Sequence, residues 1–114
     1  MKLIIDCARH PSINALWRSG RGRVYPSKKY VDWMRDFGQT LLASKVRAGS
    51  VSSYFEMTTI ISENRADLDN VAAKAILDGL QKFQIIDNDK HCRRLIAEYG
   101  EAPAGCRIIL TSAT

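Results

Sequence analysis

The chain has three cysteines, and no two of them form a C-x-x-C pair; Cys7, Cys92 and Cys106 stand far apart. The odd number and the wide spacing argue against a disulfide framework and against a structural zinc site. His91 and Cys92 are adjacent candidate ligands, but nothing completes a set of four. Long hydrophobic runs are also missing. The opening MKLIIDCARH is apolar for a few residues and then meets Asp6, too short for a signal peptide or a membrane span. The expectation is a cytoplasmic protein with no membrane partner. Low-complexity tracts, internal repeats and Pro/Gly-rich linkers are absent, so nothing divides the chain. A length of 114 residues then suits one domain, 1–114. Apolar residues make up 46%, with aromatics and β-branched residues throughout, enough for a small core that dimerisation would help.

Acidic residues are missing from one stretch. Between Arg18 and Lys29, RSGRGRVYPSKK carries Arg18, Arg21, Arg23, Lys28 and Lys29 and no Asp or Glu. A net charge of +5 alone is weak evidence for a polyanionic partner. Its concentration in one segment says more, because cations grouped in this way read phosphates. Trp17 just before the segment and Tyr25 beside its arginines either stack on exposed bases or anchor the loop. A solvated basic turn is the plain alternative.

Lys2 to Ala8 reads as a short buried strand. Arg9 to Pro26, with Pro11, Gly20, Gly22 and Pro26, reads as a loop, long enough in so small a domain to suggest a function. Ser27 can cap a helix that begins at Lys28. Tyr30, Val31, Met34, Phe37, Leu41, Leu42 and Val46 then recur at helical spacing, with Gly49 beyond the stop. Val51 to Ile61 alternates, with Val51, Ser53, Phe55, Met57, Thr59 and Ile61 on one side of a strand. A second helix is expected over Asn70 to Phe83. Two more strands, Cys92 to Tyr99 and Cys106 to Thr111, are expected to close a hairpin through Glu101 to Gly105. The order β-α-β-α-β-β predicts an α+β fold, a small mixed β-sheet with two helices packed on it.

The acids gather at either end of the second helix. NRADLDNVAAKAILDGL places Asp67 and Asp69 at its mouth and Lys74 about one turn in; IIDNDKH follows with Asp87 and Asp89. Singly, these have ordinary readings: a helix cap, a Lys74–Asp78 surface pair worth about 0.3 kcal/mol, a polar turn. Together they suggest more. Asp67 and Asp69 can point the same way across Leu68, and carboxylates held that close repel unless a cation lies between them. Mg²⁺ takes one or two carboxylates plus waters and phosphate oxygens, and Asp89 as a third carboxylate permits a two-metal arrangement. Lys74 would then meet the charge that develops on a scissile phosphate. Such a helix rises roughly 20 Å, which the six residues from Gln84 to Asp89 can retrace only if nearly extended. Asp89 therefore either just reaches the level of Asp69 in its own subunit or serves a site shared with a second subunit.

These residues resemble the RusA-like Holliday junction resolvases, a family common on phages and prophages. The resemblance rests on DLDN opening a helix, a lysine after it, LDGL where the family has LDAL, and a later acidic pair. PSINALWRSGRGRVYPSKKY is similar to the family's Pro-Ser-x-Asn segment, basic loop and helix, so the likeness covers most of the chain. Two departures stand out. Lys74 lies one residue further from DLDN than in some members, about 100° around the helix, and the first of the acidic pair is Asn88. The resemblance implies a homodimeric, Mg²⁺-dependent endonuclease (with Mn²⁺ as a substitute) that cuts branched DNA at four-way junctions. By position it implies Asp67, Asp69, Asp89 and Lys74 as catalytic, the three aspartates as metal ligands, and Asp78 as the acid of LDAL. Arg18, Arg21, Arg23, Lys28 and Lys29 are the expected DNA-binding residues. The competing expectation is a branched-DNA-binding protein with weak or no cleavage.

Overall fold

The computed structural model describes residues 1–11, 15–62 and 73–113. Its elements are β1 (Lys2–Cys7), β2 (Trp17–Gly20), β3 (Arg23–Pro26), α1 (Lys28–Ala43), β4 (Phe55–Ile61), α2 (Ala73–Lys82), β5 (Cys92–Tyr99) and β6 (Cys106–Ser112). Four strands form a mixed sheet in the order β1-β6-β4-β5, and two helices pack on it, the expected α+β arrangement. Among the described residues no helix is long and apolar enough to cross a membrane.

Alternation sorts each central strand into two faces. Phe55, Met57, Thr59 and Ile61 of β4, Cys106, Ile108 and Leu110 of β6, and Ile5 and Cys7 of β1 are buried on the helix side. Tyr30, Trp33, Met34, Phe37 and Leu41 of α1 cover them, with Ala75, Ile76 and Leu80 of α2. Val31 and Leu42, expected on the buried stripe of α1, are exposed; they lie a helix step off the line that Trp33 completes. Two glycines bring the helices together. A Cβ at Gly79 would meet the Phe37 ring at 2.7 Å, and one at Gly38 would meet the Phe83 ring at 2.5 Å. α2 thus seats Phe37 of α1 in its notch and α1 seats Phe83, the residue just past α2, and Phe37→Ala would cost about 3–5 kcal/mol.

Both helices stop in the same way. The amides of Lys45 and Val46 donate to the carbonyls of Leu42 and Leu41, and those of Gln84 and Ile85 donate to Gln81 and Leu80. These are Schellman caps, with Lys45 (φ 58°) and Gln84 (φ 61°) in the left-handed conformation that glycine usually takes. α1 therefore ends at Ala43 rather than running through Val46, which packs back on the core instead. Of the second expected helix, Asn70 to Ala72 lie outside the described residues.

Three other expectations need correction. The segment Arg9 to Pro26 is not all loop: β2 and β3 pair antiparallel within it, apart from the main sheet. The strand expected from Val51 begins at Phe55; Val51 makes only an isolated bridge to Ile86, because the serines after it break the ladder. β5 and β6 do not form a hairpin. β6 inserts antiparallel between β1 and β4, while β5 lies parallel to β4 at the sheet edge. β6 buries Cys106, Ile108 and Leu110 on one face, half-buries Arg107, Ile109 and Thr111 on the other, and fills a central place, whereas β5, with Arg93, Arg94 and Glu98, suits an edge.

Candidate nucleic-acid interface and acidic site

The basic segment is a two-stranded arm. Trp17 pairs with Pro26, Arg18 with Tyr25 and Gly20 with Arg23, leaving Arg21 and Gly22 as a two-residue turn. Both turn residues have positive φ (51° and 77°), the type I′ geometry that matches strand twist, and Gly22 makes it inexpensive. Arg21 thus stands at the tip, and Arg18, Arg23, Lys28 and Lys29 are exposed below it. Among the described residues Arg18, Arg21, Arg23 and Lys29 make no ion pair, while Lys28 holds Asp32 at 2.8 Å. The hydrogen bond from Lys28 keeps the Asp32 carboxyl below its ordinary pKa.

Ser27 fixes the base of the arm to α1. Its hydroxyl accepts from the Tyr30 amide at 3.1 Å, capping the helix as expected, and donates to the Ala15 carbonyl. Its own amide donates to Leu16 at 2.8 Å, and Leu16 is buried. Trp17 meets the Tyr30 ring edge-on at 5.8 Å yet remains 45% exposed, so it anchors the arm and still presents surface. With Pro26, Val31, Met34 and Lys82 these rings line a groove of about 180 Å³. Asn14 lies outside the described residues.

Tyr30 carries the link onward. Its hydroxyl donates to Asp78 at 2.9 Å, and Lys74 meets the other oxygen of that carboxylate at 3.2 Å. Burial, then the hydrogen bond to Asp78, pushes the Tyr30 phenol well above its ordinary pKa. Asp78, expected as a surface partner of Lys74 and as the acid of LDAL, therefore also joins the helix that follows DLDN to the helix that bears the basic arm. A spacing of 48 residues between Tyr30 and Asp78 gave the sequence no periodic signal for this bond.

Asp89 opens a short 3₁₀ turn, Asp89–His91, that leads into β5. Its amide donates to Oε1 of Gln81 at 3.0 Å, and its half-buried carboxylate makes no hydrogen bond or ion pair among the described residues. The Asn88 amide oxygen caps this turn by accepting from the Lys90 amide at 2.9 Å, and Asp87 is exposed. Beside them the Arg93 guanidinium lies 3.8 Å from the centre of the Tyr54 ring, whose other neighbour is His91. A second group of cations, Lys90, Arg93 and Arg94, is thus exposed at the start of β5.

Lys74 and Asp89 are not brought together within one chain. Lys74 precedes Gln81 by seven residues, about 10 Å along the helix, and Asp89 is tied to Gln81. The chain does not retrace the helix after the Gln84 cap. Asp67 and Asp69 lie outside the described residues, and among those described no three His, Cys, Asp or Glu side chains are grouped to hold a metal. Asp89 supplies one unengaged carboxylate, the donor Mg²⁺ prefers, but one carboxylate is not a site.

No family model matches the chain, and no curated protein matches it.

Proposed function

We propose that the chain is a Mg²⁺-dependent, structure-selective endonuclease of the RusA-like kind. It acts as a homodimer on four-way DNA junctions in the cytoplasm of a bacterial host, whether phage-encoded or chromosomal. The observation that carries this reading is the run of side chains Trp17–Tyr30–Asp78–Lys74, each touching the next. It makes the basic arm and the helix that follows DLDN one mechanical unit. A phosphate backbone held by Arg18, Arg21, Arg23 and Lys29 is thereby positioned relative to Lys74. Mg²⁺, held by Asp67, Asp69 and Asp89, would supply the Lewis acidity that phosphodiester hydrolysis needs. Lys74 would balance charge on the phosphate, moving from Asp78, which Tyr30 continues to hold.

The topology favours a site shared between subunits. β4 leaves the sheet at Ile61, and the acidic segment follows from there, whereas Asp89 precedes β5 at the end where Phe55 pairs with Cys92. Those ends of the parallel pair are separated by about 20 Å of strand. In a twofold dimer with antiparallel subunits, the Asp89 end of one chain approaches the Ile61 end of the other.

A second reading, branched-DNA binding without efficient cleavage, is favoured by two observations. The Asn88 oxygen is taken by a turn, and Lys74 is held by Asp78. Gel shifts in Ca²⁺ or EDTA beside cleavage assays in Mg²⁺ separate the two readings. Wild type is expected to bind and nick a four-way junction in preference to a fork, a flap or a linear duplex. Arg21→Ala with Arg23→Ala should weaken binding and flatten its log–log salt dependence by about one unit for each phosphate that is no longer neutralised. Junction binding with no nicking at any Mg²⁺ or Mn²⁺ concentration would select the second reading. Normal binding by the double variant would show the arm to be a solvated turn.

A further inference from the structure

Among the described residues nothing covers the face of the sheet away from the helices, and its registers arrange it in three rows of four. The middle row, in the order β1-β6-β4-β5, is Ile4, Ile109, Thr58 and Ile96. On one side lie Lys2, Thr111, Glu56 and Arg94; on the other lie Asp6, Arg107, Ile60 and Glu98. Ile4 is 46% exposed, and Ile109, Ile96 and Ile60 are only half-buried. The charges are Lys2, Arg94 and Arg107 against Asp6, Glu56 and Glu98, three of each sign, so the face adds nothing to the net charge of +5. A balanced face with an apolar stripe does not suit a polyanion; it suits another protein surface of matching pattern.

We propose that this face is the interface between two copies of the chain, packed sheet to sheet about a twofold axis that runs along the middle row. That axis turns each strand over its own counterpart with its direction reversed. The isoleucine stripe then lies on itself. Lys2 falls over the partner's Asp6, Arg94 falls over the partner's Glu98, and the symmetry repeats both pairs. Asp6, already held by Arg107 at 2.8 Å, is pinned where the partner's Lys2 arrives. The other twofold arrangement, with the axis along the strands, places Lys2 over Arg94 and Asp6 over Glu98, like charge on like. The charges thus select one of the two packings, and the aligned class of sheet packing accommodates it. This inference rests on the dimer of the proposed function but not on cleavage.

The test is sedimentation velocity of the full chain without DNA or metal, with Arg94→Glu, Glu98→Arg and an equimolar mixture of the two. Residues 94 and 98 are exposed, so neither change should unfold the chain, and circular dichroism checks that. Wild type is expected to be a dimer, and each single variant should dimerise at least about tenfold more weakly, because like charges then face each other. The mixture should recover a heterodimer of near wild-type affinity, since every facing pair is again opposite in sign. Ile4→Glu should leave a folded monomer. A monomeric wild type overturns this interface and the dimer of the proposed function together. A wild-type dimer that neither single variant weakens, or a mixture that recovers nothing, overturns this interface alone.

Discussion

The amide of Asp89 is held 3.0 Å from the side-chain oxygen of Gln81, eight residues earlier on α2. That bond places the aspartate at the foot of the helix, at the end of the sheet where β5 begins. Gln81→Ala is expected to release it, speeding hydrogen exchange at the Asp89 amide several-fold and costing about 1 kcal/mol of stability. Gln81→Glu keeps an acceptor and should behave as wild type. Unchanged exchange in the alanine variant would show that the turn holds itself.

The Tyr30–Asp78 bond gives an alkaline signature. The folded state raises the phenol's pKa, so its contribution is fully present below the unfolded value near 10 and is lost as pH rises beyond it. Denaturant titrations above about pH 10 should show stability falling in wild type but less so in Tyr30→Phe. At neutral pH that variant should lose about 1 kcal/mol. Equal alkaline slopes for the two proteins would contradict the assignment.

His10 should act at the acid end. Its Nδ1 donates to the Pro11 carbonyl at 2.9 Å, and its buried Nε2 has no partner among the described residues. Burial, aided by the Arg9 charge, holds the imidazole below its ordinary pKa despite the Pro11 bond. A lowered folded value means that its stabilising effect is present above about pH 6.5 and is lost as pH falls through the folded value. His10→Phe keeps a ring edge-on to Trp33, 6.5 Å away in wild type, and should flatten the loss of stability between about pH 7 and 5. A slope identical to wild type would show that the acid loss originates elsewhere.

The two left-handed helix caps are open to improvement. Gln84→Gly and Lys45→Gly are each expected to stabilise the fold by about 0.5–1 kcal/mol, because glycine removes the Cβ clash at positive φ. Thermal melts should rise by a few degrees. A fall in either variant would mean that the replaced side chain makes an interaction worth more than the strain.

The strands and helices were legible wherever one face is buried. The alternation of Phe55 to Ile61 and the stripe from Tyr30 to Leu41 both carry the period of their element. The partner of each strand was not legible. Local patterns cannot tell that β6 crosses to lie between β1 and β4, because neighbours in sequence and neighbours in the sheet differ here. The β2–β3 arm was hidden by its own glycines, which signal a turn before they signal the strands on either side of it. At the candidate site, residue types marked Asp89, Lys74 and the arginines. The Tyr30–Asp78 and Gln81–Asp89 bonds depend on how helices pack and where a chain turns, which spacing does not encode. Asp67 and Asp69, the two acids of DLDN, lie outside the described residues and rest on sequence alone.

The proposed metal-dependent cutting site takes Asp67 and Asp69 from one subunit and Asp89 from its partner. Its most direct test is single-turnover cleavage of a synthetic four-way junction in Mg²⁺ by wild type, Asp69→Asn, Asp89→Asn and an equimolar mixture of the two variants. Wild type should make paired nicks, and neither variant alone should cut, although both should still bind the junction. The mixture should regain nicking, because a mixed dimer with shared sites keeps one site with all its aspartates intact. Cleavage by Asp89→Asn at the wild-type rate would contradict the account, since Asp89 would then be a turn residue and nothing more.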